Sequence, residues 1–368
     1  MKTTPGTPDA SDTQRKAMVF GASGFIGRWL VKDLLDQRIP TTAAVRNIER
    51  FSSLSTWLTD PKTDTAFLSV VHVDLARDGI GVASGSLDDI TEIYNVAGAY
   101  AFGMTLDAAR SANVDAPRRV VEVAATLPRV NRLVHLSGYR VGGQDAASAP
   151  WSEAKIEKQY ARLGAYEASK VESDAVVQAS ANRLGVPLTI ANPSTVIGDS
   201  VNGESDQLIG LAATVRDLLA GRLTAIPGND STFVPVITVD YLARFMTLLA
   251  SSETAVGTSY WVLDDQTPTL PGLLRLIADH HHVAVPRLRI PVGIVKRLPK
   301  KITRADPETL SFLSADRYPT GAANALAQSH GLQQPDVSEA LTKWSDYLAA
   351  NHFGRNQEAR LPSGVAPQ

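Results

Sequence analysis

Residues 17–28 read AMVFGASGFIGR, and this stretch decides the fold, because an apolar run leads into a turn with three regularly spaced glycines. The glycines are Gly21, Gly24 and Gly27, and the amphipathic segment RWLVKDLLDQ follows them directly. A strand, a glycine turn and a helix in this order present backbone N–H groups and a helix N-terminus to an anion. The glycines allow the tight turn and the close approach of a diphosphate. The stretch therefore predicts a dinucleotide-binding turn.

Apolar strand-like runs alternate with helical patterns as far as about residue 200, which is typical of a parallel sheet with helices on both faces. The predicted strands are Ala17–Phe20, Thr41–Val45, Phe67–His72, Ile90–Asn95, Arg132–Leu136 and Pro187–Ala191, and the predicted helices include Trp29–Gln37, Thr105–Thr126 and Tyr166–Leu184. Continuous apolar strands fit burial on both faces. We predict an α/β fold, a Rossmann-type doubly wound parallel sheet with a smaller C-terminal substrate-binding domain.

The regular alternation stops after Pro193, where loops rich in Gly, Asn and Asp begin. The nucleotide-binding domain is expected over residues 15–200, with a later strand and helix from about 230–255, and an interleaved substrate-binding part over residues 200–350. The elements predicted there are an apolar run Phe233–Val239, a helix Tyr241–Ser251, a strand Ser259–Leu263 and a helix Leu270–His281. Residues 1–14 have no apolar stretch of a secretory signal and are expected to be a disordered leader. Residues 356–368 are expected to be a flexible tail.

The composition excludes several functional classes. The 368-residue chain has a formal net charge of −2 and no cysteine, which excludes disulfides and thiolate chemistry. Nothing in the charge balance indicates nucleic acid or an anionic membrane as a partner, and no apolar run reaches the length of a membrane span. We therefore expect a cytoplasmic protein. The adjacent histidines 280–282 lack the i, i+4 spacing of helical metal ligands, so no metal site is predicted.

The end of the second strand usually selects between the two nicotinamide dinucleotides. An acidic residue there binds the ribose 2′-OH, whereas an arginine accommodates a 2′-phosphate. Here residues 44–47 read AVRN, without Asp or Glu. Arg46 is therefore the expected ligand of the 2′-phosphate, with Arg28 or Arg50 as candidate helpers, and the predicted cofactor is NADP(H). The alternative for Arg46 is an ordinary surface arginine.

A second signal is the sequence YEASK at residues 166–170. Positions i and i+4 of a helix share a face, so the cation of Lys170 is expected near the phenol of Tyr166, where it lowers the pKa of the phenol from about 10. Such a tyrosine exchanges a proton with a carbonyl or alcohol oxygen while hydride moves at carbon. The pattern is a common accident when isolated, but after a nucleotide-binding half it indicates an oxidoreductase.

Six motifs occur in order along the chain. They are GASGFIG (21–27), Asp74-Leu75, Asn95-Val96-Ala97-Gly98, Leu136-Ser137-Gly138, Tyr166-x-x-x-Lys170 and NPSTVIG (192–198). Together they resemble the extended short-chain dehydrogenase/reductase family, which is epimerase/dehydratase-like, over roughly residues 17–290. Within it, the AVRN stretch and the NPSTVIGDS loop look most like the dihydroflavonol-reductase-like and thioester-reductase-like branches.

The resemblance implies a role for each matching residue. It assigns cofactor binding to Gly21, Ser23, Gly24, Phe25, Ile26 and Gly27 in the turn, to Asp74 and Leu75 at the adenine, to Ala97 and Gly98 at the middle of the cofactor, and to Pro193, Thr195 and Val196 behind the nicotinamide. Tyr166 is implied as the general acid in reduction, and Lys170 also as a ligand of the nicotinamide ribose. Asn113 matches a position that often supports the active site.

The chain departs from the family pattern at Gly138. Two adjacent small hydroxyl residues are usual after the fifth-type strand, and the second binds the substrate oxygen. Here Ser137 is followed by Gly138, so we expect Ser137 to take that role, with Tyr139 as the alternative. Sugar dehydratases of the family have Thr-Asp-Glu at this stretch, and the absence of that acidic pair favours simple hydride transfer.

The predicted function is NADPH-dependent reduction of a carbonyl, which is an aldehyde, a ketone or an activated acyl group. One alternative is an epimerase or hydroxysteroid-type dehydrogenase on the same scaffold. Another is a non-catalytic NADP(H)-sensing or scaffold protein, which Gly138 keeps open. The expected partner is a small molecule, and the basic residues of 296–304 suit a carrier- or coenzyme-linked one unless they are a solvated face. By analogy with such folds, a homodimer is expected through helices near Asn113 and Tyr166.

Overall fold

The computed structural model describes residues 14–59, 63–82, 85–101, 103–295 and 309–354. The predicted leader (except residue 14), the predicted tail, the basic stretch 296–304 and the side chain of Arg50 lie outside what is described. Within the described ranges, none of the helices combines the length and the apolar character needed to cross a bilayer.

Eleven strands are present in the described part of the chain. They are β1 (Ala17–Phe20), β2 (Thr41–Val45), β3 (Leu68–His72), β4 (Glu92–Asn95), β5 (Arg132–Leu136), β6 (Leu188–Pro193), β7 (Thr195–Ile197), β8 (Ile226–Pro227), β9 (Val236–Thr238), β10 (Ser259–Val262) and β11 (Arg289–Ile290). Seven of them form one parallel sheet in the order β3-β2-β1-β4-β5-β6-β10. The predicted doubly wound sheet is confirmed. Its strand order reverses between β1 and β4, where such sheets open a crevice for a ligand.

The α-helices pack on both faces of this sheet and around its C-terminal edge. They are α1 (Phe25–Asp36), α2 (Ile48–Trp57), α3 (Leu106–Arg110), α4 (Ala116–Thr126), α5 (Glu153–Leu163), α6 (Ala165–Leu184), α7 (Leu211–Leu219), α8 (Val239–Ser251), α9 (Leu270–His280), α10 (Val292–Val295), α11 (Gly321–Ser329) and α12 (Val337–Ala350). A π-helical turn, Ser111–Asp115, joins α3 to α4 where the sequence predicted one uninterrupted helix. Pro117 has no N–H to donate to the carbonyl of Asn113, which loosens the ladder at that point.

Alternating strand residues supply the two main parts of the core. In β1, Ala17 and Val19 face a cluster formed with α1 and α8, and Met18 and Phe20 face a second cluster formed with α4 and α6. All four side chains are fully buried. Burial on both faces is the reason for the continuous apolar runs in the sequence.

The second half of the chain both completes the sheet and builds a third cluster. β10 pairs with β6, and α8 packs against α1, so these later elements belong to the central layers. The third cluster joins α7, α9 and α12 around the buried Trp344. Two small parallel pairs, β7 with β9 and β8 with β11, lie outside the main sheet.

Several boundaries differ from the prediction. α1 begins at Phe25 instead of Trp29, because Gly24 is the N-cap and the glycine turn runs straight into the helix. β4 begins at Glu92 instead of Ile90, because the N–H of Ile90 closes a turn onto Leu87. At its carboxyl end, β6 extends past the predicted Ala191 as far as Pro193.

Candidate functional site

A cavity of about 280 Å³ opens at the carboxyl edge of the sheet, where β1, β4, β5 and β6 end. Its walls come from the glycine turn, the loops after β4 and β5, the start of α6 and the segment after β6. The predicted site residues that line it are Gly21, Gly24, Phe25, Ile26, Gly27, Ala97, Gly98, Asn113, Ser137, Tyr166, Lys170, Pro193, Thr195 and Val196. Segments far apart in sequence therefore meet at one site.

Four other predicted cofactor residues lie outside this lining: Ser23, Arg46, Asp74 and Leu75. Arg46 is exposed directly after β2, and no described residue pairs with its guanidinium. Asp74 follows β3, and its Oδ1 accepts a hydrogen bond from the N–H of Ala76 at 2.9 Å. Arg46 follows β2, and Asp74 and Leu75 follow β3, on the side of the sheet that the resemblance assigns to the adenosine.

The glycine turn fits a dinucleotide. Gly21 has φ +82, and a Cβ there would lie 2.8 Å from the amide nitrogen of Ala97. A Cβ at Gly27 would lie 2.0 Å from the carbonyl oxygen of Gly21. The N-cap of α1, Gly24, offers no side-chain acceptor, so the first N–H groups of the helix remain available to a ligand. A bare helix N-terminus at the wall of a cavity is a binding site for a diphosphate.

Arg28, a candidate helper for a 2′-phosphate, has other partners in the structure. Its guanidinium donates hydrogen bonds to Glu204 at 2.7 Å and to Asp206 at 2.5 Å. It also lies 4.7 Å from the ring centroid of Trp57, whose Nε1 donates to the same Glu204 oxygen at 2.6 Å. Two carboxylates already balance this cation, which leaves Arg46 as the exposed arginine at the end of β2.

Tyr166 and Lys170 lie one turn apart at the start of α6, and both reach the cavity. The ring of Tyr100 packs edge-on against Tyr166, with centroids 5.0 Å apart. The ammonium group of Lys170 donates to the carbonyl oxygen of Leu136 at 3.4 Å. Burial lowers the pKa of Lys170 to about 8, and the nearby carboxylate of Asp174 raises it in part. The lysine is thus a desolvated cation that loses its proton more readily than an exposed one.

The hydroxyl of Ser137, the expected donor to the substrate, is bound inside the protein. It donates to Asp174 Oδ1 at 2.8 Å. The other carboxylate oxygen of Asp174 accepts hydrogen bonds from the Gln144 N–H and from Gln178 Nε2, each at 2.9 Å. Burial raises the pKa of Asp174, and the Gln144 N–H, the Ser137 hydroxyl and Lys170 offset only part of this rise. The sequence reasoning missed Asp174, although its place four residues after Lys170 puts it on the same helix face.

Asn113 holds the loop after β4 against α6. Its Oδ1 accepts from the Ala99 N–H at 2.8 Å, and its Nδ2 donates to the Ala99 carbonyl at 3.2 Å and to Ser169 Oγ at 3.1 Å. The side chain is 2% exposed and sits in the π-helical turn, a feature often found at functional sites. Its contacts are those of a residue that supports the cavity wall.

The outer wall of the cavity contains residues that the motifs did not indicate. Arg140, after β5, pairs with Glu167 on α6 at 3.3 Å. Ser311 Oγ donates to the second oxygen of Glu167 at 2.6 Å, and the Arg140 guanidinium lies 5.5 Å from the ring centroid of Phe312. A paired charge and an aromatic ring thus close this side. Only the three-dimensional packing brings residues 309–312 here, so the sequence carried no signal for it.

Four aromatic residues, Trp151, Tyr160, Trp261 and Phe312, have different surroundings. Phe312 lines the cavity. Trp151 and Tyr160 pack in a small cluster beside α6, and the Tyr160 hydroxyl donates to Glu172 at 2.8 Å. Trp261 Nε1 donates to the carbonyl oxygen of Tyr139 at 2.9 Å, which fixes the loop after β5.

The histidines at the end of α9 lie apart from the cavity residues. His280 Nε2 is 2.8 Å from Asp346 Oδ1, and His281 Nε2 is 2.8 Å from Ser345 Oγ. Potential ligand atoms of His280, His281 and Asp346 lie within 4.8 Å of one another at a partly exposed surface. Both rings thus have hydrogen-bond partners on α12.

The glycine turn at a switch point of a parallel sheet, with a Tyr-x-x-x-Lys helix beside it, defines an oxidoreductase of the extended short-chain dehydrogenase/reductase type with a nicotinamide cofactor. The chain belongs to the NAD-binding family described as "Male sterility protein", whose model matches residues 19–246.

Individual relatives are more distant. A hybrid PKS-NRPS synthetase, gkaA of Penicillium citrinum, is 29% identical over 195 residues, which are 51% of this chain and 5% of that protein. An NAD-dependent epimerase/dehydratase, terH of Aspergillus terreus, is 28% identical over 160 residues, 42% of this chain and 46% of that protein. The chain therefore spans less than half the length of either relative. The crystal structure of the terminal R domain from the myxalamid PKS-NRPS pathway superposes with a TM-score of 0.74 at 18% identity, covering 94% of this chain and 93% of that one, which shows the shared fold.

Proposed function

We propose that the protein is an NADPH-dependent reductase of a carbonyl compound, with Tyr166 as the proton donor and Lys170 as the cation beside it. The observation that carries this proposal is that a single cavity is lined by the glycine turn and by both residues of the Tyr-x-x-x-Lys pair. A bound NADPH would supply the hydride that the carbonyl carbon accepts. The chain's own residues would bind the cofactor, orient the substrate and give a proton to its oxygen.

Each wall of the cavity has a part in this reaction. The first turn of α1 binds the diphosphate, and Pro193 to Val196 lie behind the nicotinamide. Lys170 binds the nicotinamide ribose and, while protonated, keeps positive charge near the phenol of Tyr166. Tyr166 gives its proton to the substrate oxygen as negative charge develops there. Residues of the region from about 200 to 350, among them Gln207 and Phe312 of the cavity wall, enclose the substrate.

We propose NADP(H) over NAD(H) because of the residues around the end of β2. Arg46 is exposed there, and no acidic side chain occupies the adjacent positions to bind a 2′-OH. An arginine binds a phosphate through paired, charge-assisted hydrogen bonds. An uncharged ribose hydroxyl cannot form such a pair.

The substrate proposed for this cavity is uncharged near its carbonyl and apolar or aromatic in its body. Tyr100, Tyr139 and Phe312 supply ring surface to the wall. The one arginine of the described lining, Arg140, has its charge balanced by Glu167. An anionic group beside the carbonyl would therefore find no unbalanced positive charge on that side.

A second candidate is the reduction of an acyl thioester carried by a partner protein or coenzyme. The similarity to the PKS-NRPS synthetase gkaA favours it, since the match covers half of this chain. The same residues would act on a thioester carbonyl, and the thiol would then leave to give an aldehyde. The cavity would hold the acyl group, with the carrier outside it.

The test is NADPH consumption, followed by absorbance, with a panel of aliphatic and aromatic aldehydes, ketones and small acyl thioesters. Tyr166→Phe should lower kcat/KM about 10²–10⁴-fold on the best substrate. Tyr347→Phe, on α12 outside the cavity, is the matched control and should keep full activity. Tight NADPH binding without turnover of any panel member would contradict the proposal and favour a sensing protein. Epimerisation of a sugar nucleotide without net NADPH consumption would favour the epimerase alternative.

A further inference from the structure

We propose that the Tyr139 hydroxyl is the second hydrogen-bond donor to the substrate oxygen, in place of the hydroxyl that is absent at Gly138. The inference deepens the proposed reductase function and rests on it. Tyr139 would be a catalytic residue, while Ser137 and Asp174 would be positioning residues.

Ser137 has no second hydroxyl proton to donate to the substrate oxygen. A serine hydroxyl has one proton to donate, and that of Ser137 goes to Asp174 Oδ1 at 2.8 Å. A carbonyl oxygen or an alkoxide needs a donor and gains nothing from the remaining lone pairs of Ser137. To turn toward the substrate, Ser137 would have to leave a buried carboxylate with one donor fewer, which is costly.

The Tyr139 hydroxyl is in the opposite situation. Tyr139 lines the cavity and is 6% exposed to solvent. Its hydroxyl oxygen has no hydrogen-bond partner among the described residues. A buried phenol without a partner costs free energy, and such groups in native structures are often reserved for a ligand. Burial raises the pKa of Tyr139 far above its usual value, so the phenol keeps its proton and can donate it in a hydrogen bond.

Three contacts hold Tyr139 in place. Its N–H donates to the Pro193 carbonyl at 3.0 Å, and its own carbonyl accepts from Trp261 Nε1 at 2.9 Å. Its ring packs edge-on against Tyr318, with centroids 4.9 Å apart. A donor that is fixed before the substrate binds needs little reorganisation in the transition state.

Tyr139 and Tyr166 line the same cavity. Tyr100 and Glu167 line it as well. Tyr100 packs on the ring of Tyr166, and Glu167 is the next residue on α6. In the reaction, the carbonyl carbon gains a hydride, the π electron pair moves onto oxygen, and that oxygen takes the Tyr166 proton. Tyr139 donates a hydrogen bond throughout and keeps its own proton.

A rival donor exists in the same cavity. Ser194 also lines it, and its buried Oγ has no partner among the described residues. Its place between Pro193 and Thr195 puts it in the segment proposed to lie behind the nicotinamide, whereas Tyr139 directly follows Gly138. The experiment therefore includes Ser194→Ala beside Tyr139→Phe.

The kinetic test uses the best carbonyl substrate of the panel. Tyr139→Phe should lower kcat/KM about 10²–10³-fold, as loss of one oxyanion donor does, without changing the NADPH dissociation constant. Ser137→Ala and Ser194→Ala should stay within about tenfold of the wild type. Tyr318→Phe, which keeps the ring against Tyr139, is the matched control and should be as active as the wild type. Full activity of Tyr139→Phe, or a large loss in Ser194→Ala alone, would overturn the inference.

Rescue separates a catalytic role of Tyr139 from a structural one. A Cβ at Gly138 would be 3.4 Å from Val141 Cγ2, an ordinary contact, so a serine fits there. Adding Gly138→Ser to Tyr139→Phe should restore at least about tenfold of the lost kcat/KM. No recovery in a variant that folds and binds NADPH would count against the inference.

A structural readout keeps the inference testable if the wild type reduces no panel member. Crystals of the NADP⁺ complex would be soaked with benzaldehyde. We expect the aldehyde oxygen about 3 Å from Tyr139 Oη. An oxygen bound to Ser137 or Ser194, or no benzaldehyde in the cavity, would overturn the assignment. Absence of turnover together with an aldehyde bound to Tyr139 would reject the proposed function and leave this donor assignment in place.

Discussion

Lys170 makes the stability of the protein depend on pH in a way that can be calculated. Burial places its pKa at about 8 in the folded protein, against 10.5 for an unperturbed lysine. Between these values the unfolded chain binds more protons than the native one, so the free energy of unfolding rises with pH. The gain from this one amine between about pH 7.5 and 9.5 is about 2 kcal/mol. Below about pH 8 both states hold the proton, and this contribution no longer changes.

Lys170→Met removes the titrating amine and fills the same space with an apolar chain. We expect the wild type to gain about 2 kcal/mol across that pH interval relative to the variant, whose own curve stays flatter. The measurement is urea unfolding, followed by tryptophan fluorescence, at several pH values below the range where tyrosines ionise. Lys158→Met, an exposed lysine on α5, is the control and should follow the wild-type curve. Parallel curves for the wild type and Lys170→Met would refute the reasoning, because they would show that the amine is well hydrated in the folded protein.

Three further predictions concern the same cavity and its approaches. Asp174→Asn should move the alkaline limb of the kcat/KM profile to lower pH. Lys170 sets this limb near pH 8, and the variant lacks the carboxylate that raises the pKa of the amine. An unmoved limb would contradict this. Arg46→Ala should weaken NADPH binding about 10–100-fold in a fluorescence titration and leave NADH binding unchanged. The control, substitution of the exposed Arg183 by alanine, should affect neither cofactor. Equal losses for both cofactors in Arg46→Ala would count against a 2′-phosphate contact. Asn113→Ala should lower the free energy of unfolding by about 2–3 kcal/mol in urea, because the Ala99 peptide groups lose their partners; an unchanged unfolding midpoint would show that water replaces them.

The parts of the fold that the sequence predicted best are the strands buried on both faces. β1, β2 and β5 have the predicted bounds, because each is a short, largely apolar run with a polar, proline or glycine residue on either side. The helices α2 and α5 were not predicted. α5 buries only Tyr160, and its sequence EAKIEKQYARL has just three large apolar residues, Ile156, Tyr160 and Leu163, although these lie at helical spacing.

The gathering of the predicted site residues follows from topology. Parallel strands end at one edge of the sheet, so motifs after β1, β4, β5 and β6 must meet there once the strand order is known. The pairing of Arg140 with Glu167 and the approach of Phe312 depend instead on the path of the chain after residue 308. Such contacts are set by tertiary packing, and no local pattern in the sequence encodes them.

Gly138 shows how structure sharpens a departure that sequence can only detect. The backbone there does not require glycine, because a Cβ would make an ordinary contact with Val141 and the residue has no left-handed φ. Packing therefore does not explain the loss of a hydroxyl at this position. Asp174 accepts the hydrogen bond of the Ser137 hydroxyl. The next side chain in the loop, Tyr139, lines the same cavity and has a buried hydroxyl without a partner among the described residues. These contacts together favour a site in which residue 139, instead of residue 138, supplies the donor hydroxyl. They argue against a site that has lost its catalytic function.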